Sequence, residues 1–273
     1  MSKKLRLFYW SSKVFEKKIK ENYGDILSAY IVEKVSGLET VFYNAPASRK
    51  KLFKKSYLMA IGSILQYASS KAIVWGSGII SQKDTPGAAT YCAVRGPLSR
   101  KRILELGHSC PEVYGDPALL LPNLYKPEIQ KIHALGIIPH YVDYTAVQET
   151  YGDSLPVIDL MTHDFFATTD EILSCKAIVS SSLHGVIVAH AYGIPAIWVR
   201  FSDKLSGDNT KYEDYFLSVG LDPYNGPLIT EMQTNAYFLD LIQQVPSLPT
   251  AEKVKEVSTQ LEKAFPTSYK AAS

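Results

Sequence analysis

The chain holds 273 residues, 46% of them apolar and 21% charged, with a net charge of only +2. That balance excludes a disordered or collagen-like chain and leaves enough apolar mass for two layered domains. No run reaches the ~20 clean apolar residues of a membrane span. The basic start "MSKKLRLFYWSS" has too short an apolar stretch, and no small-residue cleavage site, for a signal peptide, so a cytoplasmic protein is expected.

The charge is unevenly divided. Residues 1–125 carry 19 Lys and Arg against 9 Asp and Glu, whereas residues 126–273 carry 10 against 18. Runs such as "SRKKLFKKS" (residues 48–56) suit anionic headgroups at a membrane surface or a phosphorylated ligand, with a solvated basic face as the plain alternative. No recognition-helix or RNP-like pattern accompanies the charge, so nucleic acid is not an expected partner. Cys92, Cys110 and Cys175 are widely spaced and read as reduced, inert thiols. No cluster of histidines and carboxylates stands at ligand spacing, so no metal is expected.

In chain order, "KLRLFYW" has strand length, and "NYGDILSAYIVEKVSG" reads as a helix with Leu27, Ile31 and Val35 on one face. Asp25 is its predicted cap and Gly37 its stop. "YLMAIGSILQYA" reads as a strand, a Gly62–Ser63 turn and a helix start, and "KAIVWGSGII" as a buried strand running into glycines. "EVYGDPALLL" reads as a strand followed by Asp116 as cap and Pro117 at the first helical position. A break near "LPNLYKPEIQK", with Pro122 and Pro127, suggests a linker. Beyond it "HALGIIPHYVD", "LPVIDLMT", "CKAIVSSSLHG" and "IPAIWVRF" repeat the strand-to-loop idiom, and "TAEKVKEVSTQLEKAF" closes the chain as a helix. The alternation predicts βα units in parallel sheets, an α/β fold of two Rossmann-like domains facing across a cleft. The expected boundaries are 1–125, basic and facing an acceptor, and 126–273, facing a donor and carrying the last helix.

His184 stands where "KAIVSSS" gives way to "GVIVAHAY", at a strand's carboxyl end and a helix's amino end. Amides and the positive dipole end at such a place bind anions, and Ser181 and Ser182 add hydroxyls. His184 is therefore a candidate proton-transfer group, with a loop-ordering hydrogen bond as the plain alternative. His190, inside the apolar helix, reads as a satisfied core histidine.

Eight segments in order, "NYGDILSAYIVEKVSG", "AIGSIL", "VWGSGI", "AVRGPLSR", "YGDPALLLP", "IPHYVD", "SSSLHGVIVAHAYGIP" and "KYEDYFLS", together resemble the polysaccharide pyruvyltransferases. The resemblance spans residues 22 to about 218. It implies a glycosyltransferase-B-like architecture and an enzyme that moves the pyruvyl group of phosphoenolpyruvate onto a sugar diol. The product would be a pyruvate ketal, with release of phosphate, on an exopolysaccharide or capsule precursor of a bacterial cell surface. The acceptor would be a lipid-linked oligosaccharide, with the enzyme peripheral at the inner face of the membrane. No cofactor is implied, since phosphoenolpyruvate is itself the donor.

The resemblance assigns donor contact to Arg95, with a loop-tying ion pair as the alternative, and proton transfer to His184. Asp25 is expected to reach the acceptor or to be only a cap. Gly76 and Gly78 are expected to permit close backbone approach to a ligand or a neighbouring loop, and Ser77 and Gly185 to bind substrate. His140 is expected to touch the ligand or else only to order its loop by a hydrogen bond. Many relatives carry arginine where this chain has Ser182, so Arg200 and Lys211 become candidates for the missing cation. Asp116 reads mainly as structural. A nucleotide-sugar glycosyltransferase of the same architecture and a non-catalytic glycan- or anion-binding protein are the competing readings.

Overall fold

The computed structural model describes residues 4–48 and 55–271; residues 49–54, the centre of the basic run, lie outside the described residues. Among the described residues ten short strands follow in chain order: β1 (Leu5–Phe8), β2 (Glu21–Asn22), β3 (Thr40–Phe42), β4 (Tyr57–Met59), β5 (Ala72–Trp75), β6 (Thr90–Ala93), β7 (Gly136–Ile138), β8 (Met161–Thr162), β9 (Ile178–Ser180) and β10 (Ala196–Trp198). Five form one parallel sheet in the order β3-β1-β4-β5-β6, and three form another in the order β10-β9-β7. The fold is thus mixed α/β with parallel sheets. In the larger sheet Leu7 of β1 pairs with Phe42 on one side and Leu58 on the other. The progression of the chain across this sheet therefore reverses between β1 and β4. Such a reversal opens a crevice beyond the strands' carboxyl ends.

Helices fill the crossovers between strands. The first long one, Tyr23–Ser36, is capped by the Asn22 side chain, which accepts from the Gly24 N–H at 3.1 Å, and it ends at Gly37 with φ +69°. Asp25, expected as the cap, instead occupies the first turn. The correction has a simple cause: Asn22 fits the cap equally well and stands three residues earlier. Leu27, Ile31 and Val32 form the helix's buried side. The Leu183–Ala191 helix is buried almost all round, and Gly193 (φ +70°) donates its N–H back to the His190 carbonyl.

A single apolar cluster runs through both halves, joining Leu5, Leu58 and Trp75 to Ile138, Ile178 and Trp198. The segment around "LPNLY", read as a linker, begins inside this cluster: Leu119, Leu120 and Leu121 are buried, and Tyr30 donates to the Leu124 carbonyl at 3.0 Å. The Ala251–Ala264 helix crosses back to the first sheet, where Trp75 Nε1 donates to the Leu261 carbonyl at 2.8 Å. A small antiparallel pairing of β2 with β8 adds a further tie between the halves. Among the described residues no helix is long and apolar enough to cross a membrane.

Candidate active site

A cavity of about 320 Å³ opens beyond the carboxyl ends of strands from both sheets. Trp10 and Ser12 reach it from beyond β1, and Gly62, Ser63 and Ile64 from beyond β4, so it lies at the reversal point of the larger sheet. His140 and Tyr141 reach it from beyond β7, and Ser182, Leu183 and His184 from beyond β9. Asn22 and Asp25 line it from the start of the Tyr23–Ser36 helix, and Lys211 from the first turn of the Thr210–Ser218 helix. Glu16 and the exposed Lys204 stand at its edge.

A larger space, about 620 Å³, lies between the C-terminal helix and the end of the Leu183–Ala191 helix. It borders His190, but both ring nitrogens there are engaged, Nδ1 with Tyr215 Oη and Nε2 with the Ala196 and Ser247 carbonyls, each at 3.0 Å. Burial pushes the His190 imidazole down to about 4, so it stays neutral. That space gathers no reactive pair, whereas the smaller one does.

His184 is that pair's first member. Its ring lies against Gly24, where any Cβ would overlap Nδ1 and Cγ. Nε2 points inward, 3.6 Å from Asp116 Oδ2, and both atoms are buried without a hydrogen bond. Asp116 does cap, since its Oδ1 accepts from the Ala118 N–H at 2.9 Å, at the head of a 3-10 turn, Pro117–Leu120. Its second oxygen is left for the histidine. The sequence carried half of this signal: an Asp-Pro start explains one carboxylate oxygen and is silent about the other.

Asp25 lines the same cavity, its Oδ1 near Gly62, and makes no hydrogen bond among the described residues. Burial, with Glu21 and Glu16 adding repulsion, raises its carboxyl well above the usual range. His140 is pushed down to about 3, chiefly by burial and then by Lys211 and Lys18, so it serves as a neutral hydrogen-bonding group. Its backbone N–H donates to Ser181 Oγ at 2.8 Å. Lys211 is lowered to about 8, first by burial and then by the nearby Arg95 charge. At neutral pH it remains a cation facing the cavity.

Arg95 is not in the lining. It is completely buried: Nε and Nη2 meet Asp214 Oδ2 at 3.1 and 3.0 Å, Nη2 donates to the Ile79 carbonyl at 2.6 Å, and Nη1 to Ser63 Oγ at 2.7 Å. The loop-tying reading describes this arginine, and Ser63, to which Nη1 donates, is itself in the cavity lining. Gly78 lies flat against its guanidinium, where a side chain would collide. Gly76, at φ +99°, makes room for the Pro117 ring, and Ser77 Oγ donates to the Ala60 carbonyl at 2.8 Å. All three thus pack one loop on another, away from the cavity.

Ser181 is buried and holds two loops together, its Oγ taking the His140 amide and its carbonyl the Tyr212 hydroxyl at 2.8 Å. Gly185 lets the helix settle onto β7 and β9, where a Cβ would meet Ser180 Oγ and Ile138. Arg200 turns elsewhere, to the Gly226 carbonyl at 3.0 Å and Asp203 at 3.0 Å. Of the two candidate replacement cations, only Lys211 lines the cavity. Ser182 lines it too, as the N-cap residue of the Leu183–Ala191 helix, with its hydroxyl making no cap bond. Asp116, Ser63, Glu16 and Lys204 are the site residues that spacing along the chain did not reveal.

The sequence model for "Polysaccharide pyruvyl transferase" matches residues 22–203, two thirds of the chain. The chain belongs to that family. Within the pyruvyl transferase match fall the cavity residues Asp25, His140 and His184 and, behind His184, Asp116, while Trp10, Ser12, Lys204 and Lys211 line the cavity from outside the match. Among relatives, an uncharacterized protein, L143, of Acanthamoeba polyphaga mimivirus is 31% identical over 210 residues, 74% of this chain and 72% of that protein. The succinoglycan biosynthesis protein ExoV of Rhizobium meliloti (strain 1021) is 23% identical over 233 residues, covering 80% of this chain and 66% of its own length. Among the described residues no three His, Cys, Asp or Glu side chains converge as a metal-binding group.

Proposed function

We propose that this chain transfers the pyruvyl group of phosphoenolpyruvate to two hydroxyls of a sugar in a polysaccharide precursor, forming a ketal and releasing phosphate. The observation that carries the proposal is one cavity lined by a histidine backed by a buried carboxylate, by a second carboxyl and by a lysine. The family supports pyruvyl transfer, and a relative named for succinoglycan biosynthesis supports a polysaccharide acceptor. The two parallel sheets are then two Rossmann-like lobes across the cavity.

The donor carries a carboxylate and a phosphate, so it needs fixed positive charge. Lys211 supplies it inside the cavity and Lys204 at the mouth, in place of the arginine that Ser182 replaces. The Leu183 and His184 amides at the helix start and the unspent Ser182 hydroxyl add oriented donors. Asp25, whose carboxyl is raised by burial well above the usual range, gives its proton to the methylene carbon. The central carbon becomes electrophilic, the first sugar hydroxyl attacks it, and that hydroxyl's proton passes to His184. The bond from the central carbon to the phosphate oxygen then breaks. The second hydroxyl closes the ketal as its proton passes to the Asp25 carboxylate, restoring that acid. His184 gives its proton to the departing phosphate, so no oxidant or cofactor enters the balance.

The acceptor is read as a lipid-linked oligosaccharide presented at the cytoplasmic face of a membrane, with the basic first half near anionic headgroups. The test is phosphate release from phosphoenolpyruvate across a panel of simple and lipid-linked glycosides, with mass detection of the ketal. A product carrying one pyruvyl ketal is the expected outcome. Phosphate release unaffected by any glycoside, or nucleotide release from a sugar nucleotide instead, would overturn the proposal.

A further inference from the structure

The His184 ring is held from two sides, and the two sides are chemically unequal. Nε2 is buried, has no hydrogen bond, and faces only Asp116 Oδ2, 3.6 Å away. Nδ1 lies over the bare backbone of Gly24 and, unlike Nε2, is not among the buried atoms lacking a partner. A carboxylate oxygen can only accept, so the nitrogen facing it must carry the hydrogen. The other nitrogen then holds a lone pair, on a residue that lines the cavity together with Asp25.

The two oxygens of Asp116 are likewise distinguished. Oδ1 is committed to the Ala118 amide at the head of its 3-10 turn, at 2.9 Å, which fixes the carboxylate plane and aims Oδ2 at the imidazole. The buried, unpaired state of both facing atoms is costly unless the contact tightens when the site is loaded.

We infer that Asp116 is a positioning residue that locks His184 in the Nε2–H tautomer, so that Nδ1 is the atom that accepts the acceptor hydroxyl's proton. This deepens the proposed pyruvyl transfer and rests on it for the identity of the acceptor. In the step, the hydroxyl O–H bond breaks, its proton forms a bond to Nδ1, and its oxygen bonds to the central carbon of the donor. The resulting imidazolium has N–H groups at both positions, and Asp116 faces its inner one. Gly24 is part of the device, because any side chain there would push the ring off Asp116.

The same geometry dictates what Asp116→Asn does. The amide oxygen is held by the Ala118 N–H, so the amide nitrogen must turn toward His184 and donate. That forces Nε2 to accept and moves the hydrogen to Nδ1, inverting the tautomer while preserving the cap. The experiment is ¹⁵N NMR of histidine-labelled protein, with the His184 signals among the six histidines identified by their loss in His184→Gln. In its neutral-imidazole form the wild-type protein should show a protonated Nε2 and an unprotonated Nδ1, a measurement that needs no variant to fold. Asp116→Asn should reverse them. It should also lower kcat by about 10²-fold with KM for phosphoenolpyruvate within about threefold.

A wild-type Nδ1–H tautomer would overturn the inference. So would an unchanged tautomer in Asp116→Asn, or an inverted tautomer with full turnover. If the wild-type enzyme released no phosphate with any glycoside, pyruvyl transfer itself would fall, while the NMR arm would still decide how His184 is held.

Discussion

Asp214 and Asp116 are both fully buried carboxylates that face a basic side chain, and their oxygens are used to very different extents. Asp214 Oδ1 accepts the Ser99 amide at 2.9 Å, and its Oδ2 takes the Ser99 hydroxyl at 2.6 Å and two nitrogens of Arg95. Asp116 has one oxygen capping a turn and one with no hydrogen bond at all. A buried pair whose carboxylate oxygens and guanidinium nitrogens all have partners is finished chemistry. An unsaturated pair at a cavity's edge carries a cost that only a function or a loaded state offsets. The first network therefore reads as framework and the second as working site, although sequence patterns favoured Arg95 for the latter.

The most drastic way to break this contrast is Asp214→Ala. It leaves the Arg95 guanidinium buried without its counter-charge, which should cost about 3–5 kcal/mol. Denaturant titration should show a collapse of stability; a loss under about 1 kcal/mol would mean that Arg95 finds other partners and is not framework. Next comes His184→Ala, expected to lower turnover by about 10²–10⁴-fold while the denaturation midpoint moves little. Equal losses of stability and turnover would place His184 with the framework.

Lys211 sharpens the comparison through pH. Its ammonium, lowered to about 8, is charged below that pH and neutral above it in the free protein. A bound anion favours the charged form, so kcat/KM for phosphoenolpyruvate should fall as pH rises through about 8, and kcat should fall later. Lys211→Arg, charged throughout, should remove that alkaline limb. A limb unchanged by the substitution would assign it to another group. The smallest effect is expected from Arg200→Ala. Its pairing with the mostly exposed Asp203 contributes at most about 1 kcal/mol, and KM for the donor should not move.

Local signals were legible in the sequence because they act over a few residues. Gly37 and Gly193 mark helix ends through left-handed backbone, and the short apolar runs mark parallel strands. His184 could be placed at a strand-to-helix junction for the same reason. Arg95 could not be placed, since its fate depends on Asp214, 119 residues further along the chain. Asp25 reads from sequence as either a cap or an acceptor contact; Asn22 carries out the capping three residues earlier, which leaves the carboxyl among the cavity's lining. The dual use of Asp116 was hidden because residue type does not say where a second oxygen points. Glu16 and Trp10 joined the cavity through tertiary packing that no periodicity records.

The return of the Ala251–Ala264 helix to the first sheet bears on how this protein is made. Trp75 waits for Leu261, 186 residues later, and for the Phe265 ring, whose centroid lies 4.8 Å from its own. During synthesis the earlier sheet must therefore leave the ribosome with an apolar flank uncovered, to be closed only when the last helix emerges. Contacts that span so much chain slow folding and leave nascent chains open to aggregation. Ribosome stalling before codon 251 should accordingly yield chains that bind chaperones, with release following once Phe265 has cleared the exit tunnel.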